Sequence, residues 1–224
     1  ALNDISINIP VRSSVAIVGE SGAGKTTLVD LITLTNEPQK GEILIDKISS
    51  SNLNKSSWRN QIGYVSQDTL IFDDTIGNNI SMWKSNKSYN ENLRDAAKKA
   101  NILEFIESLP KGFDTMVGDR GILLSGGQKQ RIFIARELYR KPSLLILDEA
   151  TSSLDSESEK SIQESIELLK GKVTVIVIAH RLSTIKNVDQ IYLIDKGKLI
   201  EHGTYEELIN NNNSKFSKLA NLQV

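Results

Sequence analysis

Residues 14–33 read SVAIVGESGAGKTTLVDLIT, and the order of parts within this stretch decides the fold. Ser14 to Gly19 is a short apolar run ending in glycine, the pattern of a buried strand. From Lys25 to Thr33 the apolar residues Leu28, Leu31 and Ile32 fall on one helical face. Between them, Gly19-Glu20-Ser21-Gly22-Ala23-Gly24-Lys25-Thr26 fits the spacing G-x-x-x-x-G-K-[ST]. Glycines let the backbone curl until successive N–H groups and the helix N-terminus face one polyphosphate. Lys25 can then reach the outer phosphates, and the Thr26 hydroxyl can ligate Mg²⁺. The bland alternative is a glycine-rich turn carrying a surface lysine. The spacing alone arises by chance in roughly 1% of chains of this length, and a mere turn needs neither the strand before it nor the helix after it.

A second chemical cluster closes the run Leu144-Leu145-Ile146-Leu147-Asp148-Glu149. A continuous apolar run suits a parallel strand buried on both faces, which puts the two carboxylates at its C-terminal edge, where open α/β sheets bind ligands. There Asp148 can hold Mg²⁺ through water, and Glu149, one step beyond, can orient or deprotonate a nucleophilic water. Alone, two acids after a strand are usually a solvated loop start; the phosphate-binding loop gives them a partner. Leu124-Ser125-Gly126-Gly127-Gln128 opens a third helix. Ser125 and Gln128 have capping-box spacing, and the paired glycines leave a helix N-terminus open to a second phosphate contact.

Outward from these motifs, Gly41 to Asp46 and Ile62 to Ser66 are strand candidates, separated by a Ser/Asn/Lys-rich loop around Ser49 to Ser57. From Thr75 to Lys141 the signals are helical. NENLRDAAKKANILEFIESL is broken by Pro110-Lys111-Gly112, and QKQRIFIARELYRK by Pro142, which predicts an inserted helical lobe. A capped helix is expected from Ser156, with Glu159 as its capping-box partner, followed by the β-branched run Val173 to Ile178. Strand, helix and strand with short joins imply parallel pairing and right-handed crossovers. Ile191 to Ile194 and Lys198 to Glu201 read as a hairpin around Asp195-Lys196-Gly197, and Thr204 to Glu207 as a capping box starting a last helical segment.

Composition narrows the function classes. The 224 residues carry 27 Lys+Arg against 28 Asp+Glu, so no global field attracts nucleic acid or acidic lipid. Phosphate binding must come from local geometry. Without cysteine there is no disulfide framework, thiolate zinc site or cysteine nucleophile. The longest apolar stretch, Val173 to Ala179, falls far short of the roughly 18 to 20 residues of a membrane-spanning helix. The start, ALNDISINIP, has no signal-peptide character and no initiator Met, so a piece of a longer chain is expected. A GTPase reading fails because no guanine-reading Asn-Lys-x-Asp occurs.

The order of phosphate loop, LSGGQ and LLILDEA resembles the nucleotide-binding domain of ATP-binding cassette (ABC) transporters, over essentially the whole chain. The resemblance implies a single domain over residues 1–224: an α/β P-loop NTPase core with a mostly parallel sheet at 1–75 and 142–224, a β-rich N-terminal part, and a helical subdomain at 76–141. It implies ATP as substrate, Mg²⁺ as cofactor, and a nucleotide site running from Gly19 through Thr27. Thr26, Gln67 and Asp148 would hold the metal, and Glu149, His180, Lys25 and Gln67 would carry the catalysis. Gln67, in Tyr64-Val65-Ser66-Gln67-Asp68, matches the family's Q-loop glutamine; His180 matches the switch histidine at the γ-phosphate; Asp155, in Ser152-Ser153-Leu154-Asp155, matches the dimer-communicating D-loop, with Ser153 where Ala is usual. Two such domains pair head to tail in the family, so Ser125, Gly126, Gly127 and Gln128 would meet the ATP held by the other copy. His202 matches no catalytic position and is read as structural.

The exporter branch is favoured by Thr115-Met116-Val117-Gly118-Asp119-Arg120-Gly121, which resembles the exporter segment T-x-V-G-E-x-G with Asp119 for Glu. Phe72-Asp73-Asp74-Thr75-Ile76 and Ala179-His180-Arg181-Leu182-Ser183-Thr184 are also exporter-like. The implied protein exports or flips a substrate, with a transmembrane domain upstream and this domain at the cytoplasmic face of a membrane, and it has no nucleic-acid partner. The aromatic residue that stacks on adenine in this family lies upstream of Ala1; its loss is expected to weaken ATP binding by roughly 1–3 kcal/mol. The alternative is a soluble, non-transport ABC ATPase, but the long coiled-coil insertion or tandem second cassette of such proteins is absent. An ATP-binding switch without hydrolysis is disfavoured by Glu149.

Overall fold

The computed structural model describes residues 2–66, 70–84, 88–148, 156–179, 181–211 and 213–221. Its framework is a sheet of strands β1 (Ser14–Val18), β4 (Ile62–Val65), β5 (Leu144–Asp148), β6 (Thr174–Ala179), β7 (Gln190–Asp195) and β8 (Lys198–Gly203), in the order β4-β5-β6-β1-β7-β8. Every pairing is parallel except β7 with β8. Around the sheet run α1 (Lys25–Ile32), α2 (Lys55–Asn60), α3 (Ile76–Ser81), α4 (Tyr89–Lys99), α5 (Leu103–Ser108), α6 (Gly126–Tyr139), α7 (Ser156–Leu169), α8 (Tyr205–Ile209) and α9 (Lys215–Asn221).

The continuous apolar runs have a direct structural cause. Successive strand residues point to opposite faces, and here both faces are covered. Ala16, Val18, Leu145, Leu147, Val175 and Val177 enter one core, together with Ile80, Leu93 and Ile132 of the helical region. Their neighbours Ile17, Leu144, Ile146, Ile176 and Ile178 enter a second core with Leu28 and Val29 of α1. Leu2, Ile5, Ile7 and Ile9 pack against that second core without forming a strand.

Three local expectations change. Ser49 to Ser57 is not simply a loop, because α2 begins within it. The Asn54 side chain accepts the Ser57 N–H (3.0 Å), and Trp58 Nε1 donates to the Ile32 carbonyl (2.8 Å) while its ring packs on the second core. The strand expected over Gly41 to Asp46 shrinks to β2 (Leu44–Ile45), paired antiparallel with β3 (Ile48–Ser49). Asp46 and Lys47 turn it at φ 50° and 67°, and Leu44 and Ile48 stay about half exposed, so no buried face prolongs the pairing. The N-terminal β-structure described beyond β1 is this short hairpin. Finally, the 90–109 helix breaks before Pro110. Asn101 takes φ 53°, the Ile102 N–H returns to the Ala97 carbonyl (3.0 Å), and buried Ile102 starts the path into α5.

Candidate functional site

β1 ends in register with Ala179 of β6 and Leu193 of β7, and the glycine loop rises from that edge. Glycine is required at both of its ends. A Cβ on Gly19 would lie 2.2 Å from the Ile194 carbonyl oxygen, and Gly24 holds φ 109° at the N-cap of α1 with a Cβ position 2.6 Å from Leu2 Cδ2. No side chain caps α1 and no acid lies in its first turn, so its N-terminal N–H groups remain available to an anion. The β7–β8 turn buttresses the loop: the Gly197 N–H donates to the Ala23 carbonyl (2.9 Å). Lys25 is buried and folds back, with Nζ donating to the Gly19 (2.7 Å) and Glu20 (3.0 Å) carbonyls. Thr26 is exposed beside it.

Asp148, the last residue of β5, is in register with Ile178, which is in register with Ile17. One strand separates β5 from β1, so Asp148 stands about 10 Å across the same sheet edge from the base of the glycine loop. Its Oδ2 accepts from the Tyr64 hydroxyl at 2.5 Å. Gln67, Glu149, Asp155 and His180 lie outside the described residues; Asp148 and Ala179, which precede Glu149 and His180, end β5 and β6 at this edge, and Ser66, which precedes Gln67, directly follows β4.

Ser125 and Gln128 close the expected capping box at the start of α6. The Ser125 hydroxyl accepts the Gln128 N–H (3.2 Å), and Gln128 Oε1 accepts the Ser125 N–H (2.9 Å). Ser125 and Gly126 are exposed, as are Ile122 (77%) and Leu123 (71%) just before them. The structure does not bring this motif to the phosphate loop of the same chain. α6 packs on β4, and β4 is three strands from β1, or about 14 Å.

Several contacts were not anticipated by sequence reasoning. The two exporter-like segments around Asp74 and Met116 lie side by side: the Ile76 N–H donates to the Thr115 carbonyl (3.0 Å) and the Val117 N–H to the Asp74 carbonyl (3.1 Å). Hydrogen bonds from Asn78, the Thr75 N–H and Trp83 hold the Asp74 carboxyl below the usual range. Exposed Met116 belongs to the second of these segments, Leu70 lies two residues before the first, and exposed Met82 and Trp83 form the turn after α3. Arg136 of α6 is 5% exposed and donates to the Asn79 carbonyl (2.7 Å), Asn79 Oδ1 (3.2 Å) and the Leu70 carbonyl (2.8 Å). Burial lowers its pKa, against the opposing charge of Glu137. The Tyr64–Asp148 contact did have a signal: with β4 beside β5, Tyr64 faces Ile146 and shares a face with Asp148 two residues on.

The family model described as ABC transporter matches residues 2–152. The chain is 51% identical over 208 residues to the heterocyst differentiation ATP-binding protein HepA of Nostoc sp., covering 93% of this chain and 34% of that protein. It is 48% identical over 223 residues to an ATP-dependent lipid A-core flippase of Haemophilus influenzae, covering 100% and 38%. It is 47% identical over 222 residues to mitochondrial ATP-binding cassette sub-family B member 10 of Mus musculus, covering 98% and 31%. The chain thus spans about a third of the length of these relatives. A solved bacterial Atm1-family ABC exporter with ATP bound superposes with a TM-score of 0.85 at 40% identity, over 100% of this chain and 39% of that one.

Proposed function

Since this chain belongs to the ABC transporter family, we propose that it is the ATP-binding and ATP-hydrolysing domain of an exporter or flippase, driving transport through a membrane domain. The observation that carries the reading is the placement of the Lys25 loop and Asp148 on one edge of the parallel sheet. In this reading the N–H groups from Gly22 to Thr27 cradle the β- and γ-phosphates. Lys25 exchanges its two loop carbonyls for phosphate oxygens, so its positive charge is already at the rim when the nucleotide arrives.

The donor set fits Mg²⁺: the Thr26 hydroxyl and Asp148 carboxylate are hard oxygen ligands on one edge, too few for a self-sufficient cage and suited to an ion that keeps phosphate and water ligands. When bound, Mg²⁺ neutralises charge on the phosphates. By the family register, Gln67 would join Thr26 and Asp148 in holding it. Glu149 orients the attacking water and accepts its proton, His180 steadies the γ-phosphate, and water attacks phosphorus as ADP leaves; these roles rest on the family register.

The separation of Ser125–Gln128 from the phosphate loop supports sharing between copies, each chain closing the other's site, with Asp155 at the junction. Residues 76–141 act as a helical subdomain presenting that motif. The paired exporter-like segments, with exposed Leu70, Met82, Trp83 and Met116, support a docking face for the transmembrane domain, and in this reading the domain works at the cytoplasmic face of the membrane. Calorimetric titration with MgATP tests the core of the reading. Lys25→Ala is expected to abolish measurable binding, and unchanged affinity would reject the phosphate-loop role.

A further inference from the structure

We propose that Tyr64 is a positioning residue for Asp148: its hydroxyl engages one carboxylate oxygen and so fixes which oxygen is presented to a divalent cation. The inference rests on the reading of Asp148 as a metal ligand.

Tyr64 is held at both ends. On one side its strand, β4, is paired with β5, with Tyr64 opposite Ile146. On the other, its backbone N–H donates to the carboxylate of Glu137 on α6, whose pKa is raised by burial against the nearby Arg140 charge and that N–H bond. α6 lies close enough here that a Cβ on Gly63 would sit 3.1 Å from Glu137 Cβ. From this clamped backbone the ring reaches diagonally across the ladder to Asp148, where Oη donates to Oδ2 at 2.5 Å. The ring remains 36% exposed, so the contact is a directed polar bond at the rim of the site.

An aspartate at a strand end can turn about its terminal torsion and offer either oxygen. A donor on Oδ2 removes that freedom and leaves Oδ1 as the oxygen to be offered to a cation. Such outer partners of a ligating carboxylate orient it and typically alter metal affinity by about 10- to 100-fold. With Tyr64 36% exposed and water able to compete, the lower end applies, about tenfold. The link also connects the helix bearing Ser125–Gln128 to Asp148 through Glu137 and Tyr64.

The test uses Mn²⁺ as the probe. Free hexaaqua Mn²⁺ is followed by electron paramagnetic resonance as it is titrated into the full chain saturated with a non-hydrolysable ATP analogue. The parent, Tyr64→Phe, Asp148→Asn and the double variant are compared. Nucleotide binding is measured separately with excess chelator. Tyr64→Phe is expected to weaken Mn²⁺ binding about tenfold, to leave metal-free nucleotide binding unchanged, and to add nothing in the Asp148→Asn background. Parent-like Mn²⁺ affinity in Tyr64→Phe overturns the proposal. So does an equal loss of metal-free nucleotide affinity, which marks a general structural role, or a persisting effect without Asp148. If Asp148→Asn binds Mn²⁺ like the parent, it is the metal-ligand reading that fails, a separate and recognisable result.

Discussion

Replacing Arg136 with alanine is expected to destabilise the chain severely while leaving the phosphate loop untouched. α3 ends at Ser81, where Met82 turns to φ 52°, so the Asn79 carbonyl is one of the helix's unpaired terminal acceptors. Arg136 Nε caps it at 2.7 Å, while its other nitrogens bind Asn79 Oδ1 and the Leu70 carbonyl. The guanidinium also stacks over Phe72 (5.4 Å) and Phe133 (4.9 Å). Hydrogen bonds to a charged group contribute about 1.5–3 kcal/mol each, but the gain is offset by the cost of burying the charge, the same cost that lowers its pKa. Leu70 is 60% exposed, so water replaces the lost donor there; the Asn79 carbonyl, on a residue with no exposed surface, stays unsatisfied. The net loss is about 3–4 kcal/mol, read as a fall of roughly 6–16 °C in Tm. Arg136→Lys should recover only part, since an ammonium cannot reproduce the three-way fork. Urea unfolding of Arg136→Ala, Asn79→Ala and the double variant should show a coupling of at least about 1 kcal/mol. A loss below about 1 kcal/mol for Arg136→Ala, or strict additivity with Asn79→Ala, would refute the clamp.

Two further outcomes follow from the site and from the sheet. Mixing a Lys25→Ala copy with a Ser125→Arg copy should recover part of the ATP hydrolysis that each lacks alone, because one composite site of the mixed dimer is intact; phosphate release with no recovery in demonstrated mixed dimers would sink the shared site. Asp189 is partly buried, yet donors from Ser14 and Lys170 outweigh that burial and lower its carboxyl pKa. A depressed folded pKa contributes stability above the unfolded value of about 3.9, lost as pH falls through the folded value, so Asp189→Asn should lower the urea midpoint at pH 7, and its deficit should shrink as pH falls below about 3.9.

The phosphate loop, the buried strands and the capping boxes at Ser125 and Thr204 were legible because each rests on short-range rules: glycine where φ is positive, period-two burial, a side-chain oxygen three residues before an N–H. α2 escaped notice because its decisive support, the Trp58 indole on the Ile32 carbonyl, joins residues far apart in the chain. The break at Asn101 was hidden by an apolar pattern that continues in phase on both sides of it. Tyr64 and Arg136 act through strand order and helix packing, so their partners emerge only after folding. Gln67, Glu149 and His180, outside the described residues, are carried by the family register rather than by described geometry.

The neighbours of β1 impose an order on biosynthesis. Its partners are residues 174–179 and 190–195, and the loop's buttress is Gly197. At about 5–20 residues per second, the ribosome releases β1 roughly 10 to 30 s before it has made the two strands that flank it. The Cβ-free passage at Gly19 has no Ile194 carbonyl to slide past until residue 194 has been made. Within this domain the phosphate loop is thus translated well before it can acquire its working shape, and a nascent chain cannot present a finished nucleotide cradle before residues 190–197 have been made.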